Sequence, residues 1–258
     1  MPETSSIPVA VVTGGSRGIG RAICIAFGAQ GHTVVAAGRD AKALAETTRL
    51  VRKAGGADSA AVTCDMHDGS AIEEMVRTVI ARHGRIDILV NNAGGGTSAR
   101  PMTSDETPDG DWLDTLDLNL TSVFRTCKAI TPHMKSRRYG VIVSVASIAS
   151  RQPSNLSGVA YTAAKSGLAG LNRHLAKELG PFGIRVNAVA PGIIGSERVH
   201  AKFDTYTEAE RAAINARIPL GRIGTIEEVA SVVAFLASPA ASYVHGALID
   251  INGGMFMA

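Results

Sequence analysis

Short apolar runs alternate along the chain with segments of helical periodicity. Seven runs rich in Val, Ile and Ala predict β-strands at Val9 to Val12, Thr33 to Ala37, Ala60 to Thr63, Ile86 to Val90, Val141 to Val145, Ile184 to Val189 and Ala247 to Ile251. Because strands that alternate with helices are joined by right-handed crossovers, this order predicts an α/β fold with a doubly wound parallel sheet of seven strands flanked by helices. We expect one domain that spans residues 1–258.

One segment, residues 193–224, departs from this alternation. It is longer and more polar than the other connections, with a helical pattern around Thr207 to Arg217. Long ordered connections in compact domains often cover a binding site. We therefore predict a substrate lid at about 193–224, with a plain insertion as the alternative.

Composition and charge narrow the function classes. With 45% hydrophobic but only 4% aromatic residues, the core is expected to consist of Ala, Val, Ile and Leu side chains, as in parallel sheets between helices. The 26 basic and 23 acidic residues are interspersed, and a net charge of +3 gives no nucleic-acid signature. No apolar stretch reaches the roughly 18 residues of a membrane span, and no secretion signal is evident, so we expect a cytoplasmic protein without a membrane partner.

The sulfur and imidazole side chains do not suggest a metal site. Cys24, Cys64 and Cys127 are far apart and lack C-x-x-C spacing, which indicates reduced thiols in the core. The seven His residues include no H-E-x-x-H pair. We expect neither a disulfide framework nor a bound metal.

A glycine-rich turn follows the first predicted strand. Val9 to Val12 leads into Thr13-Gly14-Gly15-Ser16-Arg17-Gly18-Ile19-Gly20, and a helical pattern follows at once. This order presents backbone N–H groups and a helix N-terminus to a phosphate, with glycine where a side chain would block its approach. Because no Lys followed by Ser or Thr ends the turn, a triphosphate-binding P-loop is not indicated.

Tyr161 and Lys165 are spaced to share one face of a helix. A free phenol has a pKa near 10 and is a poor base at neutral pH. An ammonium group about 4 Å away would contribute about 4 kcal/mol at an effective dielectric of 20, or about three pKa units. We therefore predict that Lys165, together with the positive charge of a bound cofactor, brings the pKa of Tyr161 into the range of a proton shuttle. Ser147, at the end of an apolar run, is the candidate hydroxyl partner, with Ser144 and Ser150 as alternatives.

Several further motifs occur in a recognisable order. They are Thr13 to Gly20, Asn91-Asn92-Ala93-Gly94, Asn119, Ser147, Tyr161 with Lys165, and Pro191-Gly192. With this set, the chain resembles the classical short-chain dehydrogenases/reductases over nearly its whole length. The resemblance implies a single Rossmann-type domain in which residues 7–110 mainly bind a dinucleotide and residues 111–258 carry catalysis and the substrate. It also implies a homotetramer.

The resemblance assigns roles to four catalytic residues. A hydride would move between a nicotinamide and a carbonyl carbon while Tyr161 exchanges a proton with the oxygen. Ser147 would hydrogen-bond that oxygen, Lys165 would bind the nicotinamide ribose, and Asn119 would hold a water that relays protons to Lys165.

The resemblance also implies a larger set of cofactor contacts. They are Gly14, Ser16, Arg17, Gly18, Ile19, Gly20, Arg39, Asp65, Met66, Asn92, Ala93, Gly94, Tyr161, Lys165, Pro191, Gly192, Ile194 and Ser196. Asp65 has ordinary loop chemistry after a strand as its alternative, and Ser196 stands where the family often has a Thr.

The tip of the second predicted strand decides between NADP(H) and NAD(H). A carboxylate there accepts from the ribose hydroxyls of NAD, whereas an arginine attracts the 2′-phosphate of NADP. Here Val34 to Gly38 is followed by Arg39, and Arg17 points by resemblance to the same corner. Asp40 is expected to cap the helix that begins near Ala41. We predict NADP(H) over NAD(H).

The substrate is expected to be a small carbonyl or alcohol compound. Candidate contacts lie after the Asn-Asn-Ala-Gly turn, between 151 and 159, and in the lid: Gly95, Ser154, Asn155, Ser157, Ile194, Val199 and Phe203. The chain as a whole resembles the 3-oxoacyl-thioester reductases. By that resemblance Arg137 and Arg138 of this chain are candidates to contact an acidic carrier protein, with a simple helix-dipole role as the alternative. Sugar, steroid or other secondary-alcohol dehydrogenases are the alternative, and a non-catalytic dinucleotide-binding regulator is a third possibility.

Overall fold

Seven parallel strands form the sheet in the computed structural model, which describes residues 7–95, 103–153 and 158–258. They are β1 (Val9–Thr13), β2 (Thr33–Gly38), β3 (Asp58–Thr63), β4 (Ile88–Asn91), β5 (Gly140–Val145), β6 (Ile184–Pro191) and β7 (Leu248–Ile251). Each of the seven predicted strands is present, and the bounds differ by two residues at most. The order across the sheet is β3-β2-β1-β4-β5-β6-β7, so the predicted doubly wound fold is confirmed.

Helices connect these strands. They are α1 (Gly18–Ala29), α2 (Ala41–Lys53), α3 (Gly69–His83), α4 (Asp109–Leu116), α5 (Ser122–Arg137), α6 (Val159–Leu179), α7 (Glu197–Phe203), α8 (Glu208–Ala216) and α9 (Ile226–Ala237). Side-chain caps set several starts. The Asp40 carboxylate accepts a hydrogen bond from the Ala43 N–H at 2.9 Å, which confirms its predicted role as the cap of α2.

Hydrophobic cores cover both faces of the sheet. Side chains alternate along β1, so Val9 and Val11 pack on one face while Ala10 and Val12 pack on the other. Cys24 and Cys127 lie in these cores, where burial raises the pKa of each thiol to about 12. The cysteines are therefore buried thiols, as predicted.

The strand order places a crevice at the carboxyl ends of β1 and β4. The chain leaves β1 for β2 on one side and later returns to add β4 on the other, and ligands of open α/β sheets bind at such a reversal. The segment 193–224 carries α7 and α8. Its two ends are joined by a parallel bridge between Ile194 and Gly224.

Neither a membrane-spanning helix nor a metal-binding cluster occurs in the part of the chain that the structure describes. Within residues 7–95, 103–153 and 158–258, no helix has the length and apolarity needed to cross a membrane. The same part of the chain contains no group of three His, Cys, Asp or Glu residues placed to hold a metal ion.

Candidate active site

The glycine turn after β1 is tightly packed. Gly14 has a φ of +66°, and a methyl group there would lie 2.8 Å from the Asn92 amide nitrogen. A methyl group on Gly20 would overlap the Gly14 carbonyl oxygen. Arg17, the N-cap residue of α1, makes no side-chain capping bond. Among the described residues, no side chain accepts from the first amides of α1, which fits a phosphate at this helix N-terminus.

Thr13 fastens this turn to the segment that follows β4. Its hydroxyl accepts hydrogen bonds from the N–H groups of Asn92 (3.0 Å) and Ala93 (3.1 Å) and donates to the Val90 carbonyl. The Asn92 side chain donates in return to the carbonyls of Thr13 and Gly14, at 3.0 and 3.2 Å. The turn after β1 and the segment after β4 are thus hydrogen-bonded to each other. Thr13 was not among the predicted site residues, although a hydroxyl at a strand end before glycine is a recognisable signal.

Positive charge lies at the tip of β2. A methyl group on Gly38, the last residue of the strand, would lie 3.8 Å from the Ser16 hydroxyl, so this tip adjoins the glycine turn. Arg39 and Arg17 are both exposed there. Because the Asp40 carboxylate is used in capping α2, no acidic side chain is presented at the strand end.

The side chains of Asp65 and Met66, after β3, make their contacts within the protein. The Asp65 carboxylate accepts from the His67 N–H at 3.1 Å, and the Met66 side chain is buried in the core. This bond is the loop chemistry weighed as the alternative for Asp65. Only the main chain of Met66 is left to face a ligand.

The segment after β6 differs in part from expectation. The Ile194 side chain is only 6% exposed and packs in the core on the α1 and α9 side of the sheet, so little of its surface is left for the expected apolar contact with the substrate. The Ser196 hydroxyl caps α7 by accepting from the Val199 N–H at 3.4 Å. A side chain at position 192 would collide with Asn252, because a methyl group on Gly192 would lie 2.9 Å from the Asn252 Cα.

Asn119 lies in a π-helical turn, Asp117–Thr121, between α4 and α5. Its buried side chain donates to the carbonyls of Thr115 and Gly95, both at 2.9 Å, and accepts from the Gly95 N–H at 2.9 Å. Insertion of an extra residue into a helical turn is frequent at functional sites. Asn119 therefore lies where the helical chain departs from regular α-helical geometry.

Gly94 separates Asn119 from Lys165. A methyl group on Gly94 would lie 2.7 Å from the Asn119 side-chain oxygen and 3.4 Å from the Lys165 ammonium nitrogen. Close approach of three groups from three different elements depends on this glycine.

Ser147 and Tyr161 meet beyond the end of β5. The Ser147 hydroxyl accepts from the Ala149 N–H at 3.2 Å and is hydrogen-bonded to the Tyr161 side chain. Burial raises the pKa of Tyr161, and both this hydrogen bond and the charge of Arg198 partly oppose the rise. The alternatives for Ser147 are occupied elsewhere, because Ser144 is buried within β5 and the Ser150 hydroxyl donates to the Ser147 carbonyl.

Lys165 is not among the groups that lower the pKa of Tyr161 in this structure, where Ser147 and Arg198 have that effect. The lysine ammonium group donates to the Val145 carbonyl at 2.8 Å and lies 5.6 Å from the centre of the Tyr161 ring. Burial lowers the pKa of Lys165 to about 8. The phenol pKa is raised instead, because loss of hydration outweighs the neighbouring charges.

Arg198, in α7, is a site residue that the sequence did not reveal. A methyl group on Gly95 would lie 3.1 Å from one of its guanidinium nitrogens, and its charge acts on Tyr161. The signal available was an arginine between two predicted site residues, Ser196 and Val199.

The remaining substrate candidates have mixed outcomes. Gly95 is held by Asn119, while Phe203 packs against the Tyr206 ring at a centroid distance of 5.7 Å within the lid. Ser154, Asn155 and Ser157 lie outside the described residues.

Comparison with known proteins identifies the family. The family model described as Enoyl-(Acyl carrier protein) reductase matches residues 14–256. The chain is 38% identical over 249 residues to 3-oxoacyl-[acyl-carrier-protein] reductase FabG of Salmonella typhimurium, covering 96% of this chain and 97% of that protein.

Solved structures show the same likeness. A variant of actinorhodin polyketide ketoreductase with NADPH superposes with a TM-score of 0.89 at 34% identity, over 96% of this chain and 97% of that one. A 3-oxoacyl-[acyl-carrier protein] reductase with bound NAD from Brucella melitensis superposes with a TM-score of 0.88 at 33% identity, over 99% and 93% of the two chains. Together with the Ser147, Tyr161 and Lys165 constellation, these matches show that the chain belongs to the short-chain dehydrogenase/reductase family of oxidoreductases.

Proposed function

We propose that this protein is an NADP(H)-dependent ketoreductase that interconverts a ketone and a secondary alcohol, with 3-oxoacyl thioesters as the substrate class. The observation that carries the proposal is the meeting of Ser147, Tyr161, Lys165 and Asn119 beside the glycine turn. The relatives named 3-oxoacyl-[acyl-carrier-protein] reductase support the substrate class.

The protonation state of Tyr161 suits ketone reduction. Bound NADPH would supply the hydride to the carbonyl carbon. Because burial raises its pKa, Tyr161 is protonated at neutral pH and can donate its proton to the substrate oxygen. The hydrogen-bonded Ser147 hydroxyl fixes that oxygen near the phenol. Lys165, with a pKa of about 8, is suited to return a proton to this region along the path that Asn119 and Gly94 border.

The residues of the glycine turn and the β2 tip would hold the dinucleotide. The amides at the start of α1 would bind the pyrophosphate, and Arg39 with Arg17 would pair with the 2′-phosphate. One similar structure contains NADPH and another contains NAD, so the proposed cofactor preference of this chain rests on its own residues. The absence of a carboxylate at the described β2 tip favours NADP(H).

Absorbance assays of cofactor oxidation test the proposal. NADPH and NADH would be compared on a 3-oxoacyl thioester, a simple ketone, an oxidised sugar, a steroid ketone and an enoyl thioester, the last because the family description names enoyl reduction. We expect the highest kcat/KM with NADPH and the 3-oxoacyl thioester. Higher kcat/KM on any other compound class, or with NADH, would contradict the proposal.

The carrier and assembly form part of the same proposal. The Arg137 guanidinium pairs with the buried Asp87 carboxylate at 2.9 Å, so Arg137 is not offered to an acidic carrier protein. We propose one catalytic domain, with residues 7–110 binding the dinucleotide, residues 111–258 carrying catalysis, and 193–224 acting as the lid. Exposed Leu113 and Phe124, on α4 and α5, support a homotetramer. Sedimentation as a monomer at micromolar concentration would contradict it, and the cytoplasmic location stays a prediction.

A further inference from the structure

Two consecutive residues at the start of α7 point to different parts of the site. The Glu197 carboxylate lies 3.4 Å from the position of a methyl group on Gly18, in the glycine turn. Arg198 instead lies over Gly95, and its charge reaches Tyr161. The guanidinium therefore belongs to the substrate side of the crevice, away from the phosphate-binding turn.

Arg198 has no acidic partner within the described part of the chain. Arginine remains charged at every accessible pH and offers five N–H donors in a planar fork. An arginine held over a reaction site with unused donors is suited to an oxygen acceptor on a ligand.

The ketone oxygen is already provided with donors. A carbonyl oxygen has two lone pairs, and the hydroxyls of Tyr161 and Ser147 suffice for both. The donors of Arg198 are therefore available to a second oxygen close to the first. In a 3-oxoacyl group, the acyl carbonyl oxygen is two carbons away from the ketone, on the same face when the chain is folded.

We propose that Arg198 is a substrate-binding residue that donates a hydrogen bond to the acyl carbonyl oxygen of a 3-oxoacyl substrate, and so selects 1,3-dicarbonyl compounds over simple ketones. This inference rests on the proposed ketoreductase function. It locates part of the selectivity in the first turn of α7, where the chain lies over Gly95.

The test compares two substrates and three variants. The substrates are a 3-oxoacyl N-acetylcysteamine thioester and a ketone of the same length in which a methylene group replaces the acyl carbonyl. The variants are Arg198→Gln, Arg198→Lys and Lys202→Gln, the last removing the same charge from an exposed position of α7. The dissociation constant for NADPH, measured by fluorescence, checks that cofactor binding is unchanged.

We expect Arg198→Gln to lower kcat/KM for the thioester by about 10- to 100-fold, as for loss of a charged hydrogen bond, and to change the simple ketone by less than about threefold. Arg198→Lys should recover part of the loss, and Lys202→Gln should match the wild type. Equal losses of kcat/KM on both substrates, or a weakened NADPH affinity, would refute the substrate-binding role of Arg198 but not the proposed ketoreductase function. A wild-type enzyme that reduces neither substrate would instead refute the proposed function.

Discussion

The Lys165 ammonium group donates a hydrogen bond to the Val145 carbonyl at 2.8 Å, and this bond anchors the catalytic helix α6 to the end of β5. The lysine is 4% exposed, so its charge is separated from water while its nitrogen keeps one strong acceptor. Burial without a carboxylate partner lowers the pKa of Lys165 to about 8.

The depressed pKa of Lys165 predicts a pH-dependent stability. Between about pH 8 and the ordinary lysine pKa near 10.5, the unfolded chain binds more protons than the folded one, so the free energy of unfolding should rise with pH. Relative to Lys165→Met, the wild type should gain about 2 kcal/mol from pH 7 to pH 9.5, measured by urea denaturation. Lys177→Met, at an exposed position of α6, should keep the wild-type slope. Parallel curves for wild type and Lys165→Met would contradict a depressed pKa.

Tyr161 should be required for turnover but not for cofactor binding. Tyr161→Phe removes the proton donor and should lower kcat at least about 100-fold, the usual scale of general acid catalysis. NADPH affinity, measured by fluorescence titration, should change by less than about threefold. Tyr206→Phe, in the lid, keeps the ring that packs on Phe203 and should retain full activity. A wild-type kcat in Tyr161→Phe would exclude the phenol as the proton donor.

Arg39 should determine the choice of dinucleotide. Arg39→Asp places a carboxylate at the tip of β2 and should lower kcat/KM for NADPH by about 10- to 100-fold while raising it for NADH. Arg77→Asp makes the same charge change on the exposed surface of α3 and should affect neither cofactor. An unchanged ratio of the two kcat/KM values in Arg39→Asp would show that the 2′-phosphate binds elsewhere.

Gly94 should tolerate no side chain. Its added methyl group would lie 2.7 Å from the Asn119 oxygen, so Gly94→Ala should destabilise the fold by about 1–3 kcal/mol and lower activity. Gly110→Ala is the matched control, because a methyl group there meets nothing within 4 Å and the residue lies in α4. That control should be neutral or stabilising by up to about 1 kcal/mol in thermal denaturation. Equal stability of the two variants would contradict the packing of Gly94.

The fold was largely predictable because hydrophobic periodicity and the residues that begin and end helices are local features of the sequence. Most strands are short runs rich in Val, Ile and Ala, and Asp40 caps α2 as its position before a helical pattern indicates. The site was predictable as a set of positions, because parallel strands deliver the residues that follow them to one edge of the sheet. The turn around Asn92 and the turn after β1 meet there through Thr13.

Side-chain partners were not predictable from spacing. The spacing of Tyr161 and Lys165 is consistent with direct contact, but the nearby end of β5 offers Lys165 a carbonyl at hydrogen-bond distance, and only the tertiary structure reveals it. The orientation of Ile194 toward the core depends in the same way on the bridge to Gly224. Arg198 escaped notice because its proximity to Gly95 depends on how a polar connection of 193–224 folds back.

The proton-transfer residues and Arg198 lie on different elements of the chain, so substitutions can alter one without the other. Lys165 and Asn119 donate hydrogen bonds to main-chain carbonyls of neighbouring segments, and Tyr161 is hydrogen-bonded to Ser147, so these three residues are positioned by hydrogen bonds outside α7. Arg198 is bound to no described acidic group and lies on a seven-residue helix. Residue exchanges in that helix can therefore redirect the protein toward new compounds while the proton-transfer apparatus stays intact, which makes α7 the natural starting point for altering what the enzyme accepts.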